Sequence, residues 1–150
     1  MSTTLEIAIF LSMNGKAQDA INFYKKHFNA KQLMAVTYTD LVKMGEKSIK
    51  LTDENKNHIA HSVLQLGKTK IMIAENTMDT SEEYKVGNNT SLCIQSNDLE
   101  EIQQFYANLI TDERTRIIVP LGSNLFSKAY GIVEDPFGIQ IQLCFDDRLK

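Results

Sequence analysis

A chain of 150 residues with 43% hydrophobic and 23% charged side chains has the length and make-up of one globular domain with a substantial core. Its net charge of −3 argues against a nucleic-acid surface, which would cluster Lys and Arg. No apolar run approaches the ~18 residues of a spanning helix, no secretory signal is visible, and Cys93 and Cys144 are too few for a disulfide scaffold, so a cytoplasmic, reduced protein is expected.

Residues 5–13 (LEIAIFLSM) form a nearly continuous apolar run and are expected to be a buried strand. Asn14-Gly15 breaks it. In residues 17–28, Ala17, Ala20, Ile21, Tyr24 and Phe28 recur at steps of three and four, which predicts a helix. Lys25, Lys26 and His27 lie in its last turn, where cations suit the helix dipole. Residues 31–39 read as a strand, and 40–57 as a polar loop carrying at most a short helix or strand. Residues 58–66 and 69–75 read as a hairpin around Gly67-Lys68. Residues 76–88 are polar and turn-rich, and read as a linker between halves.

Residues 89–96 read as a strand, after which Asn97 or Asp98 caps a helix with Glu100 and Glu101 in its first turn. Ile102, Phe105, Tyr106 and Leu109 give that helix its apolar stripe. Strands are expected over 114–121 and 126–133. The turn Asp135-Pro136-Phe137-Gly138 then leads into a last strand ending at Phe145. There Ile139, Ile141 and Leu143 alternate with Gln140, Gln142 and Cys144, giving one apolar face and one of amides and a thiol. The element order β-α-β-β-β, linker, β-α-β-β-β is an internal repeat. The helices support it, since Ala20-Ile21-Asn22-Phe23-Tyr24 answers Glu101-Ile102-Gln103-Gln104-Phe105-Tyr106. The expected fold class is α+β, with two βαβββ modules, at about 1–76 and 88–150, in a single domain.

Several chemistries lack their motifs: there is no GxxxxGK[ST] phosphate loop, no GxGxxG after a strand and no GxSxG elbow. Of the histidines near a strand centre, His58 and His61 are three apart and would face opposite sides of one strand. His61 with Glu75 across the hairpin would make a base and its orienter, although a solvated sheet histidine is the simpler account. Cys93 and Cys144 fall on the fifth and eighth expected strands. Such thiols bind soft metals or oxidise, but a strand cysteine is more often a small buried hydrophobe. Lys68, Lys70 and Lys128 are expected on a solvated face. Gln140, Gln142, Asn89, Ser91 and Gln95 share an expected face on paired strands. Neutral amides and a hydroxyl there would hydrogen-bond a small polar molecule, with Met72, Ile9 and Met34 as an apolar wall.

The two βαβββ modules, the Phe-Tyr helices and the terminal Asp135-Pro136-Phe137-Gly138 turn resemble the vicinal oxygen chelate superfamily, which includes glyoxalase I, extradiol dioxygenases and the bleomycin and fosfomycin resistance proteins. Three segments look closest to its PhnB-like branch: Ala20 to Tyr24, His61-Ser62-Val63-Leu64-Gln65-Leu66-Gly67 leading into Ile71-Met72-Ile73-Ala74, and Tyr130-Gly131-Ile132-Val133-Glu134-Asp135-Pro136-Phe137-Gly138. The resemblance covers nearly the whole chain. It implies a cavity between each curled sheet and its outer helix layer, and a homodimer. In the metal-using members each module gives one ligand from its first strand and one from its last. Those positions carry over to Ile9, Met72, Asn89 and Gln142. Two are apolar and two are neutral amides, so no metal and no other cofactor is expected. The branch sometimes bears a demethylubiquinone methyltransferase description, but no glycine-rich strand-to-helix turn is present to hold a nucleotide-like cofactor.

The expected function is thus a PhnB-like protein that binds a small molecule in a neutral polar cavity, without nucleic acid or membrane as partner. A metal-dependent lyase, isomerase or dioxygenase of the glyoxalase type and a dimeric interaction module are the alternatives. The residues leave open whether any reaction is catalysed.

Overall fold

A computed structural model describes residues 4–150. The chain divides into two compact units, 1–84 and 85–150, with the boundary inside the turn-rich segment. In the first unit β1 (Ile9–Ser12), α1 (Ala17–Phe28), β2 (Lys31–Thr37), α2 (Tyr38–Lys43), β3 (Ile59–Leu66) and β4 (Thr69–Ala74) build a four-stranded sheet of order β1-β4-β3-β2. In the second, β5 (Ser91–Ser96), α3 (Leu99–Leu109), β6 (Arg116–Gly122), β7 (Tyr130–Glu134) and β8 (Gln140–Phe145) build a sheet of order β5-β8-β7-β6. In each unit the first strand pairs parallel to the last and every other pair is antiparallel. The two units therefore share one βαβββ topology, and the α+β duplication is observed. The short α2 is extra to it, held by a capping box in which Thr37 and Asp40 bond each other's backbone N–H.

Each helix covers one face of its own sheet. α1 buries Ala20, Ile21, Tyr24 and Phe28 at helical spacing, against Leu64, Ile71 and Ile73 of β3 and β4. α3 buries Ile102 and Leu109 against Leu92, Ile141 and Leu143 of β5 and β8. Leu64, Ile71, Ile73, Ile141 and Leu143 are all 2% exposed or less. Burying one such side chain contributes roughly 1.5–3 kcal/mol, so a one-residue slip of β4 or β8 would forfeit several such terms and the register is firmly set. Among the described residues the helix-facing side of each sheet is a packed core.

The Asp135 turn aims β8. The Asp135 carboxylate is buried and its Oδ1 accepts from Phe137 N and Ile139 N, each at 2.9 Å. Gly138 takes φ +84°, a left-handed conformation suited to glycine, and a Cβ there would clash with Val86 Cγ1.

Five strands differ from expectation by two residues or more: β2 stops at Thr37, where α2 begins, β6 runs from Arg116 to Gly122, and the others are β1, β7 and β5. Only residues 9–12 of the 5–13 run pair, because the ladder with β4 begins at Ile71, and Leu5 and Ile7 stand 77% and 82% exposed beyond it. β7 starts at Tyr130 instead of residue 126, since Ser127 turns inward to bond Ala129 O and Phe145 O. β5 starts at Ser91, leaving Asn89 in an exposed bend.

Candidate functional site

The polar alternation of β8 decides what the second sheet shows on the side away from α3. Ile141 and Leu143 turn to the helix, so Gln140, Gln142 and Cys144 turn the other way. The register then brings neighbours to each. Ser91 and Glu134 flank Gln140, Cys93 and Ile132 flank Gln142, and Gln95 and Tyr130 flank Cys144. Gln142 sits at the centre of a hydrogen-bonded chain across three strands. Tyr130 Oη donates to Gln142 Oε1 at 2.7 Å, and Gln142 Nε2 donates to Ser91 Oγ at 2.8 Å. At one side of the face the Arg116 guanidinium meets the Glu134 carboxylate at 3.2 Å.

Two titrating groups of this face are shifted towards their neutral forms. Burial, then the nearby Cys144, pushes the Cys93 thiol above its ordinary value, even though the residue as a whole is exposed. Burial, then Cys93 and Cys144, raises the Tyr130 phenol. Near neutral pH the face thus offers the Tyr130 phenol O–H, the Cys93 thiol, an amide, a hydroxyl and one internal ion pair. It can orient a small polar molecule by hydrogen bonds and holds no preset nucleophile or base.

Of the expected site residues, Gln142, Gln140, Ser91, Gln95, Cys93 and Cys144 are brought together, and Asn89 is not. Cys93 is exposed and Cys144 half-buried, so neither is the buried hydrophobe expected. Tyr130 was not singled out from the sequence, although its place opposite Cys144 follows once the β7–β8 hairpin is registered. In the first unit Met72 lies beside Phe10 and Val63, while Ile9 lies beside Ile71 on the α1 side. Ile9 and Met72 therefore do not share a face, and Phe10 takes the place expected of Ile9. An unbroken apolar run gives no alternation to fix parity, and a slip of one residue reverses the face. Met34 does pair with Val63 and joins the Met72 face.

A His61–Glu75 pair does not form, in keeping with the simpler account of His61 as a sheet histidine. His61 is half-buried, beside Val36 on the face of Val63. Glu75 is buried towards α1, where Oε1 accepts from Gly15 N at 2.6 Å and Ala17 N at 3.1 Å, and Oε2 accepts from Ile59 N at 3.1 Å. It is the N-terminal carboxylate of α1, whose own N-cap residue, Lys16, supplies no side-chain bond. His58 lies in the bend before β3, not on the strand, and its N–H donates to Asn55 O. Lys68 and Lys128 are exposed, and Lys70 meets Glu6 at 3.8 Å. Lys128 also lines a cavity of about 270 Å³ between the 123–128 loop and residues 145–148, at the end of β8 and not over Gln142.

Two groups need a test of fit. The superfamily's metal would meet Phe10 or Ile9, Met72, Asn89 and Gln142, which offer no carboxylate and no imidazole. Among the described residues no three His, Cys, Asp or Glu side chains come together for a metal. These residues do not fit that metal. A nucleotide-like methyl donor would use the N–H groups at a helix start. Here Glu75 occupies the start of α1, and Asp98 Oδ1 occupies that of α3 by accepting from Glu100 N and Glu101 N at 3.0 and 3.3 Å. Both ends already hold a carboxylate, and a phosphate or ribose would displace it. Among the described residues no helix is long and apolar enough to cross a membrane.

The family model for 3-demethylubiquinone-9 3-methyltransferase matches residues 5–144. The PhnB protein of Bacillus cereus is 25% identical over 95% of this chain and 100% of its own, with a TM-score of 0.70. Protein PA1353 of Pseudomonas aeruginosa is 21% identical over 95% and 98%, with a TM-score of 0.78. A variant of FosX, the fosfomycin resistance protein of Listeria monocytogenes, solved with manganese(II), is 13% identical over 96% and 93%, with a TM-score of 0.63. No curated protein matches the sequence.

Proposed function

Because the chain belongs to the 3-demethylubiquinone-9 3-methyltransferase family, within the PhnB-like vicinal oxygen chelate proteins, we propose that it is a small-molecule-binding protein that works without the superfamily's metal. The observation that carries this reading is the Tyr130–Gln142–Ser91 chain. It fixes a neutral amide at the position to which the resemblance carries a metal ligand of the metal-using members. Tyr130 and Ser91 lock the orientation of that amide, which leaves one Gln142 N–H and one lone pair of its carbonyl for an incoming group. A ligand with a carbonyl or hydroxyl beside an apolar body suits the face, whose other surface is Ile132 and the two thiols.

The test has two arms. In the first, protein purified without chelator is analysed for zinc, nickel and manganese; the expected content is far below one ion per chain, and about one per chain overturns the reading. In the second, thermal stability is screened against small uncharged polar compounds. A true ligand at 100 times its Kd stabilises by about 2.7 kcal/mol, and a screen in which nothing raises the melting temperature counts against binding.

Pairing of two copies belongs to the same proposal. The exposed Leu5 and Ile7 beside edge strand β1 favour it. Light scattering is expected to give twice the 17.0 kDa chain mass, and the mass of a single chain at micromolar concentration would refute it.

A further inference from the structure

Cys93 on β5 and Cys144 on β8 are both free and stand on one face of the second sheet. The parallel register puts Cys93 beside Gln142 and Cys144 beside Gln95, so the thiols lie on a diagonal, one strand and two residues apart. With strands ~4.8 Å apart and a rise of ~3.3 Å per residue, that diagonal is about 8 Å between Cα atoms. A disulfide tolerates at most about 7 Å, so the flat register does not close one. Both side chains nonetheless leave the same face of the sheet, with Gln142 and Gln95 at the other two corners of the diagonal.

A single bridging atom changes the reach. Two sulfur–metal bonds of ~2.3 Å set in line separate the sulfurs by about 4.6 Å, against about 2.05 Å across a disulfide. Added to the two Cα–Cβ–Sγ arms, the longer span reaches across a Cα diagonal that is too wide for a disulfide. The ligand count selects the ion. Among the described residues no third His, Cys, Asp or Glu joins the pair, and the Tyr130 phenol is already turned to Gln142. An ion that requires four ligands, such as zinc, or six oxygens, such as magnesium, is left incomplete. A soft cation satisfied by two thiolates is not.

We propose that Cys93 and Cys144 together bind one soft, two-coordinate monovalent cation of the copper(I) or silver(I) class, bridging β5 and β8. Each thiol releases its proton to water as its sulfur–metal bond forms, and no electron is transferred. Cys144 gives up a weak contact of its thiol with Phe145 O at 3.6 Å. The inference does not rest on the small-molecule reading, although the two thiols also border Gln142.

Copper(I) titrated into the reduced full-length protein, against a competing chromogenic chelator, is expected to give one ion per chain and an ultraviolet thiolate-to-metal band. Cys93→Ser and Cys144→Ser are each expected to lose at least about tenfold in affinity, or 1.4 kcal/mol. Two ions per chain, or either variant keeping the parent affinity, means adventitious binding to separate thiols and overturns the proposal. The unaltered protein gives an independent answer: one equivalent of silver(I) is expected to block both thiols from a disulfide reagent at once. If one equivalent protects only one thiol, the bridge does not exist.

Discussion

Gln142 shows how much a single side chain is constrained by its strand. Its parity is set by Ile141 and Leu143, both fully buried, and its amide is held from both sides by Tyr130 and Ser91. None of these bonds lies in the core, so Gln142→Ala is expected to cost only about 1 kcal/mol of stability while abolishing the thermal shift by any ligand that stabilises the parent. Circular dichroism and a melting curve check the first part. Loss of the folded state would make Gln142 structural and remove the argument for a binding face. The alternation around Gln142 was legible in the sequence, because each apolar residue there is followed by a polar one. The role of Glu75 was not legible, because it is decided by Gly15, Ala17 and Ile59, which are remote in sequence.

At the scale of elements, helices and turns were read more surely than strand ends. α1 was found with its observed bounds, because its apolar positions repeat at three and four and it stops at Asn29, which takes φ 55°. β1 was overextended, since hydrophobicity alone does not tell where a neighbouring strand stops offering partners. The turn before β8 is where backbone geometry bears on the site. Gly138→Ala introduces both an unfavourable left-handed alanine and a Cβ against Val86. A loss of about 1–3 kcal/mol in urea unfolding is expected. The double variant with Val86→Ala is expected to recover part of it, because a smaller side chain relieves the contact but not the φ angle. Full recovery would show that backbone conformation contributes nothing.

The whole molecule was legible as a duplication because element order survives where sequence identity between halves does not. The halves nonetheless differ in packing: Phe23 and Tyr24 are 4% and 0% exposed, while Phe105 and Tyr106 are only half-buried. Several groups across the chain link folding to pH. Tyr38 is raised above the ordinary 10.0 by burial, then by the Glu75 carboxylate, against a hydrogen bond from Asn76. Tyr130 and Cys93 are raised as well. An acid whose folded pKa is raised stabilises the fold fully below its unfolded pKa, and loses that contribution as pH climbs through the folded value. Asp40, lowered by its bonds with Thr37, and Asp146, lowered by Arg148, act the other way and lose theirs as pH falls through the carboxylate range. Urea midpoints are therefore expected to be flat from roughly pH 5 to 8 and to fall on both sides. A midpoint that rises between about pH 9 and 11 would contradict the alkaline half.

The carboxylate of Glu75 joins three stretches of backbone: the turn before α1, the first residue of β3 and the end of β4. Such a clasp has a kinetic signature. The amide protons of Gly15, Ala17 and Ile59 share one acceptor group, so when β4 frays at Glu75 all three become open to solvent exchange together. Glu75→Gln is expected to quicken deuterium uptake at those three amides, while Glu100 and Glu101, held by Asp98 in the other unit, keep their rates. Independent rates at Gly15 and Ile59 would mean that the two ends of the clasp open separately. If they move as one, the start of α1 is no more stable than the last turn of a strand about sixty residues further along the chain.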